Sequence, residues 1–176
     1  MEVTLDPSPE SAHVVRNLWP LYQHDLAEFG GERPSSHGLY HADPETRTLA
    51  GHVAGMGAWW REPDRIFPYL IRVDGVPAGF NLVVARPRLP SGIDADFVVH
   101  EFFVAHPFRG TGAGERAAHL GFELHPGTWE IVTYPNHPRG IAFWRRTCSG
   151  FAPDSYSEQE RDHVWGRKVV FTFTAP

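Results

Sequence analysis

The chain has one cysteine, Cys148, one lysine, Lys168, and two methionines among its 176 residues. A single cysteine excludes an intrachain disulfide, and no other feature points to an oxidising compartment. No apolar run reaches the roughly 20 residues needed to cross a bilayer, because charged residues, Gly or Pro interrupt each one. The segment Met1 to Glu10 has neither a basic stretch nor an apolar one, so no export signal is expected and a cytoplasmic location is. Cations are few: 16 Lys plus Arg against 21 Asp plus Glu leave a net charge of −5, and no run of cations exceeds two residues. Nucleic-acid binding draws on cation contacts to phosphates, so neither nucleic acid nor a membrane is an expected partner. There are 11 histidines, but the pairs His37/His41 and His100/His106 stand alone, with no His-Glu-x-x-His pattern and no cysteine ligands. No metal is expected.

What is present suits one domain over residues 1–176: 41% hydrophobic and 13% aromatic residues are enough for a single substantial core. Val14, Val15, Leu18, Leu21, Tyr22, Leu26 and Phe29 recur at three and four, which predicts a helix over 10–29, with Ser11 as N-cap and Gly30-Gly31 as its stop. Pro20 inside it predicts a kink or a break into two shorter helices. Residues 30–48 have no period and are read as a loop. Two β-rich runs, 67–73 and 76–85, joined at Asp74-Gly75 signal a hairpin. Phe97 to Val104 is apolar on both faces, as in a strand covered on two sides. A helix is predicted from Glu115 to about Leu124, a strand over 129–134, a short helix over 141–147 and a last strand over 168–174.

Between the buried strand and the helix lies Arg109-Gly110-Thr111-Gly112-Ala113-Gly114. Unpaired N–H groups and the positive end of a helix dipole favour an anion, and glycines let a phosphate approach closely. The same glycines also suit a tight strand-to-helix joint. A P-loop would need Lys and Ser or Thr after the last Gly, but Glu115-Arg116 stands there. A dinucleotide fingerprint over Gly112 to Ala117 lacks the acidic residue at the end of the next strand, where Thr133, Tyr134 and Pro135 stand.

The pattern Arg/Gln-x-x-Gly-x-Gly/Ala after a strand is met by Arg109, Gly112 and Gly114, and here the chain resembles the GNAT superfamily of acyl-CoA-dependent N-acetyltransferases. Phe67 to Phe80, Glu101 to Val104, Trp129-Glu130-Ile131, the Asn136-His137 turn and Ala142 to Arg146 match successive elements of that family, so the resemblance covers nearly the whole chain. It implies an α/β fold with a mixed, mostly antiparallel sheet, flanked by helices and splayed between its fourth and fifth strands. It also implies acetyl-CoA as cosubstrate, held by Phe108 and the loop Arg109, Gly110, Thr111, Gly112, Ala113 and Gly114. Backbone groups of Phe102, Phe103 and Val104 would pair with the pantetheine arm, and either Asn136 or His137 would take the family's Asn role. The acceptor would be a small-molecule or peptide amine. A homodimer formed through the aromatic strand Val169 to Phe173 is a further expectation.

Amide-forming transfer from a thioester needs a base for the amine and a proton for the thiolate. Glu101 in an apolar strand is the first candidate base, with a paired structural carboxylate as the alternative reading. Glu130 is the second candidate. Trp144 falls where many family members carry the Tyr that protonates the thiolate, and indole has no useful acidity. Tyr134 is the possible substitute. Cys148 is read as a buried hydrophobe. Tyr22, Asp25, Glu28, Glu32 and Tyr40 are candidates for an acceptor site. The missing Tyr keeps open a second class, an acyl-CoA sensor without turnover, and a nicotinamide-dependent oxidoreductase is a third.

Overall fold

The Asp74-Gly75 turn has φ of 48° and 78° at its two central residues. Two left-handed residues are what a tight hairpin turn needs to match strand twist. It joins β2 (Ile66–Val73) to β3 (Val76–Ala85), and Asp74 also accepts from the Glu2 N–H at 2.8 Å, which ties down β1 (Val3–Asp6). The computed structural model describes all 176 residues. Its seven strands form one sheet in the order β1-β2-β3-β4-β5-β7-β6, completed by β4 (Phe97–Val104), β5 (Gly127–Thr133), β6 (Ser157–His163) and β7 (Gly166–Ala175). Every neighbouring pair is antiparallel except β4 with β5.

Helices cover both faces. On one face α1 (Ala12–Gly30) and α2 (Leu49–Ala54), with the 3-10 turn that follows, bring Val15 and Met56 against Leu70, Phe80 and Phe103. On the other, α3 (Ala113–Leu124) and α4 (Pro138–Phe151) bring Phe122 and Cys148 against Val83, Val99, Ile131 and Phe171. Phe122 has its ring against Trp129, Phe173 and Phe151. The predicted α/β class and mostly antiparallel sheet are those observed.

Several expectations need correction. α1 runs through Pro20 as one helix, because Trp19 and Tyr22 on either side of it both pack on Phe80. Ser11 makes no capping bond; its hydroxyl donates to Asp6 at 2.6 Å, beside Arg72. β1, α2 and β6 add elements to those predicted. β7 is paired on both sides, by β5 and β6, so Val169 to Phe173 offers no free strand for a dimer.

Gly79 lies so close to β4 that a Cβ there would stand 1.9 Å from the carbonyl oxygen of Phe103. Gly79→Ala should therefore lower the unfolding free energy by about 3 kcal/mol or more in urea titrations, whereas Gly55→Ala, at an open right-handed helix end, should shift it by less than about 1 kcal/mol. His125 sits against Phe67 and Phe97 and bonds the Tyr69 hydroxyl at 2.8 Å. Burial pushes that phenol up to about 12 and lowers the imidazole below its ordinary 6.5. Below pH 6.5 the unfolded chain takes up the His125 proton before the folded one does, so stability should fall as pH drops from 6.5 towards the folded value. His125→Gln should flatten that slope in denaturant titrations at a series of pH values.

Candidate active site

β4 and β5 lie side by side only over Phe97–Val99 and Trp129–Ile131. Past these pairs they part, opening a cleft of about 370 Å³. One wall is His100, Glu101 and Phe102, with Tyr22 and Leu26 of α1 above it. The other is Thr133 and Tyr134 at the end of β5, His137 in the following turn, and Trp165 and Lys168 of the β6–β7 hairpin, with Trp144 of α4 also lining the space.

A bulge in β4 aims Glu101 into this cleft. The β3 register passes from Leu82 opposite Glu101 to Val83 opposite Val99, leaving His100 as the extra residue. Strict alternation would put residues 99, 101 and 103 on one face. Instead Val99 packs towards α3 and α4 while Phe103 packs towards α1. The bulge thus turns Glu101 to the α1 face. There the Tyr22 hydroxyl donates a hydrogen bond to one carboxylate oxygen, and His100 Nδ1 is 3.2 Å from the other. Burial first, then the Glu101 charge, raise the Tyr22 pKa well above its ordinary value, so the hydroxyl keeps its proton and remains a donor.

Glu130 has a different setting. Its side chain is 4% exposed, with Arg161 at 2.7 Å on one oxygen and His163 at 2.9 Å on the other. Both oxygens are engaged and the side chain does not line the cleft, so the second candidate base is corrected to a buried ion-pair residue joining β5 to β6.

The glycine loop begins with a 3-10 turn, His106–Phe108, and bends through left-handed Gly110 and Gly112, at φ of 75° and 89°. A side chain would strain either residue. Within it the Ala113 N–H meets Thr111 Oγ1 at 3.3 Å, while the N–H groups of Gly110, Thr111, Gly112, Gly114 and Glu115 have no protein acceptor. Phe108 packs against Ala113 and Ala117, and its carbonyl accepts from the Thr111 hydroxyl at 2.7 Å. Gly114 lets α3 approach closely, since a Cβ there would lie 3.3 Å from both Phe143 and Val104. Arg109 turns back from the loop: it donates to the Val104 carbonyl at 2.6 Å, pairs with Asp25 at 2.5 Å and lies over the Phe103 ring. Of the expected strand-like backbone, the Phe103 carbonyl points to Gly79 of β3, so Phe102 and Val104, not Phe103, face the gap.

Asn136 and His137 separate. Asn136 donates to the Phe29 carbonyl at 3.0 Å, outside the cleft lining. His137 lines the cleft, stacked on Phe29 at 3.7 Å, and burial lowers its pKa. Trp144 stands edge-on to Phe102, 5.1 Å away. Tyr134 lines the cleft, its pKa raised by burial and by the charges of Glu32 and Glu101. Cys148 is fully buried, and burial pushes its thiol up, which leaves it inert. Of the candidate acceptor residues only Tyr22 reaches the cleft; Asp25 is held by Arg109, Glu32 bonds His41 at 2.7 Å, and Tyr40 packs on His24. Glu28 acts on the cleft only through its charge near His137. No set of three or more His, Cys, Asp or Glu side chains is grouped as metal ligands, and no helix is long and apolar enough to cross a membrane. Sequence reasoning did not single out His100, Trp165 or Lys168 as cleft residues.

No protein-family model matches the sequence, and no curated protein matches it. Solved structures do. An acetyltransferase from Thermus thermophilus superposes with a TM-score of 0.67 at 16% identity, over 99% of this chain and 97% of that one. Aminoglycoside acetyltransferase AAC(6')-Ib in complex with coenzyme A gives 0.68 at 16%, covering 98% of this chain and 95% of that one. A protein assigned to the GNAT family from Desulfovibrio desulfuricans gives 0.57 at 12%, with 99% of both chains covered. The chain has the GNAT acetyltransferase fold, as its resemblance implied.

Removing a partner from a buried carboxylate leaves an uncompensated charge, whereas exposed pairs contribute little. Arg161→Met should therefore lower the unfolding free energy by about 2–3 kcal/mol, and Arg167→Met, whose partners Glu160 and Asp162 are on the surface, by less than about 1 kcal/mol, both read by urea denaturation.

Proposed function

We propose that this chain is a GNAT-superfamily enzyme that transfers an acetyl group from acetyl-CoA to the primary amine of a small molecule. The observation that carries the reading is one stretch of chain: the open edge of β4, which bears the Glu101 carboxylate, runs on into a loop with five unpartnered N–H groups. Acetyl-CoA, when bound, supplies an activated acyl thioester. The N–H groups of Gly110, Thr111, Gly112, Gly114 and Glu115 suit a pyrophosphate. The backbone of Phe102 and Val104 aligns the arm, with the Val104 carbonyl already shared with Arg109.

Glu101 accepts the proton that the amine nitrogen gives up as the C–N bond forms and the C–S bond breaks. Tyr22 fixes the carboxylate for that task. The Trp144 indole N–H is too weakly acidic to protonate a thiolate, and the Tyr22 hydroxyl is committed to Glu101. Tyr134 is the remaining cleft tyrosine, and its raised pKa keeps the hydroxyl protonated for the departing sulfur. A small-molecule acceptor is supported by the similarity to AAC(6')-Ib, which has also been solved with coenzyme A and kanamycin. A second reading, an acyl-CoA sensor without turnover, is favoured by Trp144 in the usual acid's place.

Thiol release from acetyl-CoA with a panel of amines, alongside isothermal titration, decides between them. The enzyme reading expects amine-dependent release, a fall of about 100-fold in turnover for Glu101→Gln with acetyl-CoA affinity retained, and loss of acetyl-CoA binding in Gly112→Val/Gly114→Val. Binding without release from any amine favours the sensor, and absence of acetyl-CoA binding refutes both. Tyr134→Phe should slow turnover by about tenfold or more without weakening acetyl-CoA binding if its hydroxyl protonates the thiolate.

A further inference from the structure

The only lysine of the chain is buried in the cleft. Lys168 is 9% exposed and lines the cleft, yet its ammonium has no carboxylate and no hydrogen-bond acceptor in the protein. Its ammonium lies over the Tyr134 ring, with Nζ 3.9 Å from the centroid. The stem is buried while the ammonium reaches the open cleft unpaired, and partial desolvation lowers the Lys168 pKa. The sheet explains why no internal partner is available. Val169, Phe171 and Phe173 pack towards α3 and α4, so Lys168 is on the α1 face with Glu101. The other buried carboxylate of this region, Glu130, already bonds Arg161 and His163. Arg161, opposite Lys168 on β6, is the cation that Glu130 answers, which leaves the Lys168 ammonium without a paired carboxylate. Glu101 is on the β4 wall with Tyr22 and His100.

We infer that Lys168 is a specificity-determining residue that binds an acceptor's carboxylate, so that the acceptor is a small amine that also carries a carboxylate, of the amino-acid type. In this arrangement the acceptor's nitrogen meets Glu101 and its carboxylate meets Lys168, each charge answered from its own wall. Tyr22, Tyr134, Trp144 and Trp165 leave apolar surface between them for a side chain. A polycation would bring like charge against the unpaired ammonium, so aminoglycosides are disfavoured here. This inference deepens the acetyltransferase reading and rests on it.

Because Lys168 is the only lysine, protein labelled with ¹³Cε-lysine gives one lysine signal, read whether or not turnover occurs. The probes are L-phenylalanine, L-phenylalaninamide and phenethylamine, which share a ring and an amine and differ in the carboxylate. The signal should move on titration with L-phenylalanine and stay in place with the other two. In the thiol-release assay, kcat/KM should favour L-phenylalanine over phenethylamine, and Lys168→Met should cut that ratio by about ten- to a hundredfold through KM, with Lys168→Arg restoring part of it. A signal unmoved by L-phenylalanine, or moved equally by all three probes, overturns the inference. So does a Lys168→Met variant that slows every amine equally, since that would make Lys168 a proton-transfer or structural group. If acetyl-CoA neither binds nor turns over, the acetyltransferase reading fails, and the lysine signal still decides whether the carboxylate site exists.

Discussion

The parting of β4 and β5 after Val99 and Ile131 is the constraint on which the remaining features depend. A strand edge in mid-sheet leaves backbone donors and acceptors unpaired, and folded proteins rarely leave such groups without a partner. The fold holds the strands apart from both sides. His100 bulges out of β4, Phe102 and Trp144 meet edge-on beneath the gap, and β5 continues into the His137 turn, stacked on Phe29 at the end of α1. The same divergence lets the glycine loop present its free N–H groups near the open edge, because α3 starts directly after β4 and the His106–Phe108 turn.

Charge is distributed unevenly around that gap. Glu130 has two basic partners and is spent in holding β5 to β6. Glu101 has a phenol and an imidazole beside it and no guanidinium. Lys168 has an aromatic ring alone. The sheet thus keeps a carboxylate and an ammonium on different walls of one cleft, and this separation is what gives the cleft its proposed chemistry.

Elements carried by local chemistry were legible in the sequence. Asp74-Gly75 marked a hairpin because both residues tolerate positive φ, and the doubly apolar Phe97 to Val104 marked a covered strand. The glycine loop was readable for the same reason, since Gly110 and Gly112 hold conformations that other residues resist. β6, with the sequence Ser-Glu-Gln-Glu-Arg-Asp-His, carries no apolar alternation and draws its register entirely from β7. Glu101 was visible in the sequence as a carboxylate in an apolar strand, but which face it takes depends on the His100 bulge, a tertiary feature with no local signature. Lys168 looked like the first residue of a last strand, and its place opposite Tyr134 follows only from the β5–β7 register. Glu130 and Glu101 differ in the partners that fold around them, not in anything beside them in the chain.

Hydrogen–deuterium exchange with and without coenzyme A tests the central claim most directly, because it reads the backbone groups that the open edge and the loop leave free. New protection is expected at the amides of Phe102, Val104, Gly110, Thr111, Gly112, Gly114 and Glu115, with the paired β2–β3 hairpin unchanged. Protection elsewhere, or none at these amides at saturating coenzyme A, would contradict the claim that the gap between β4 and β5 is a binding site for the cosubstrate.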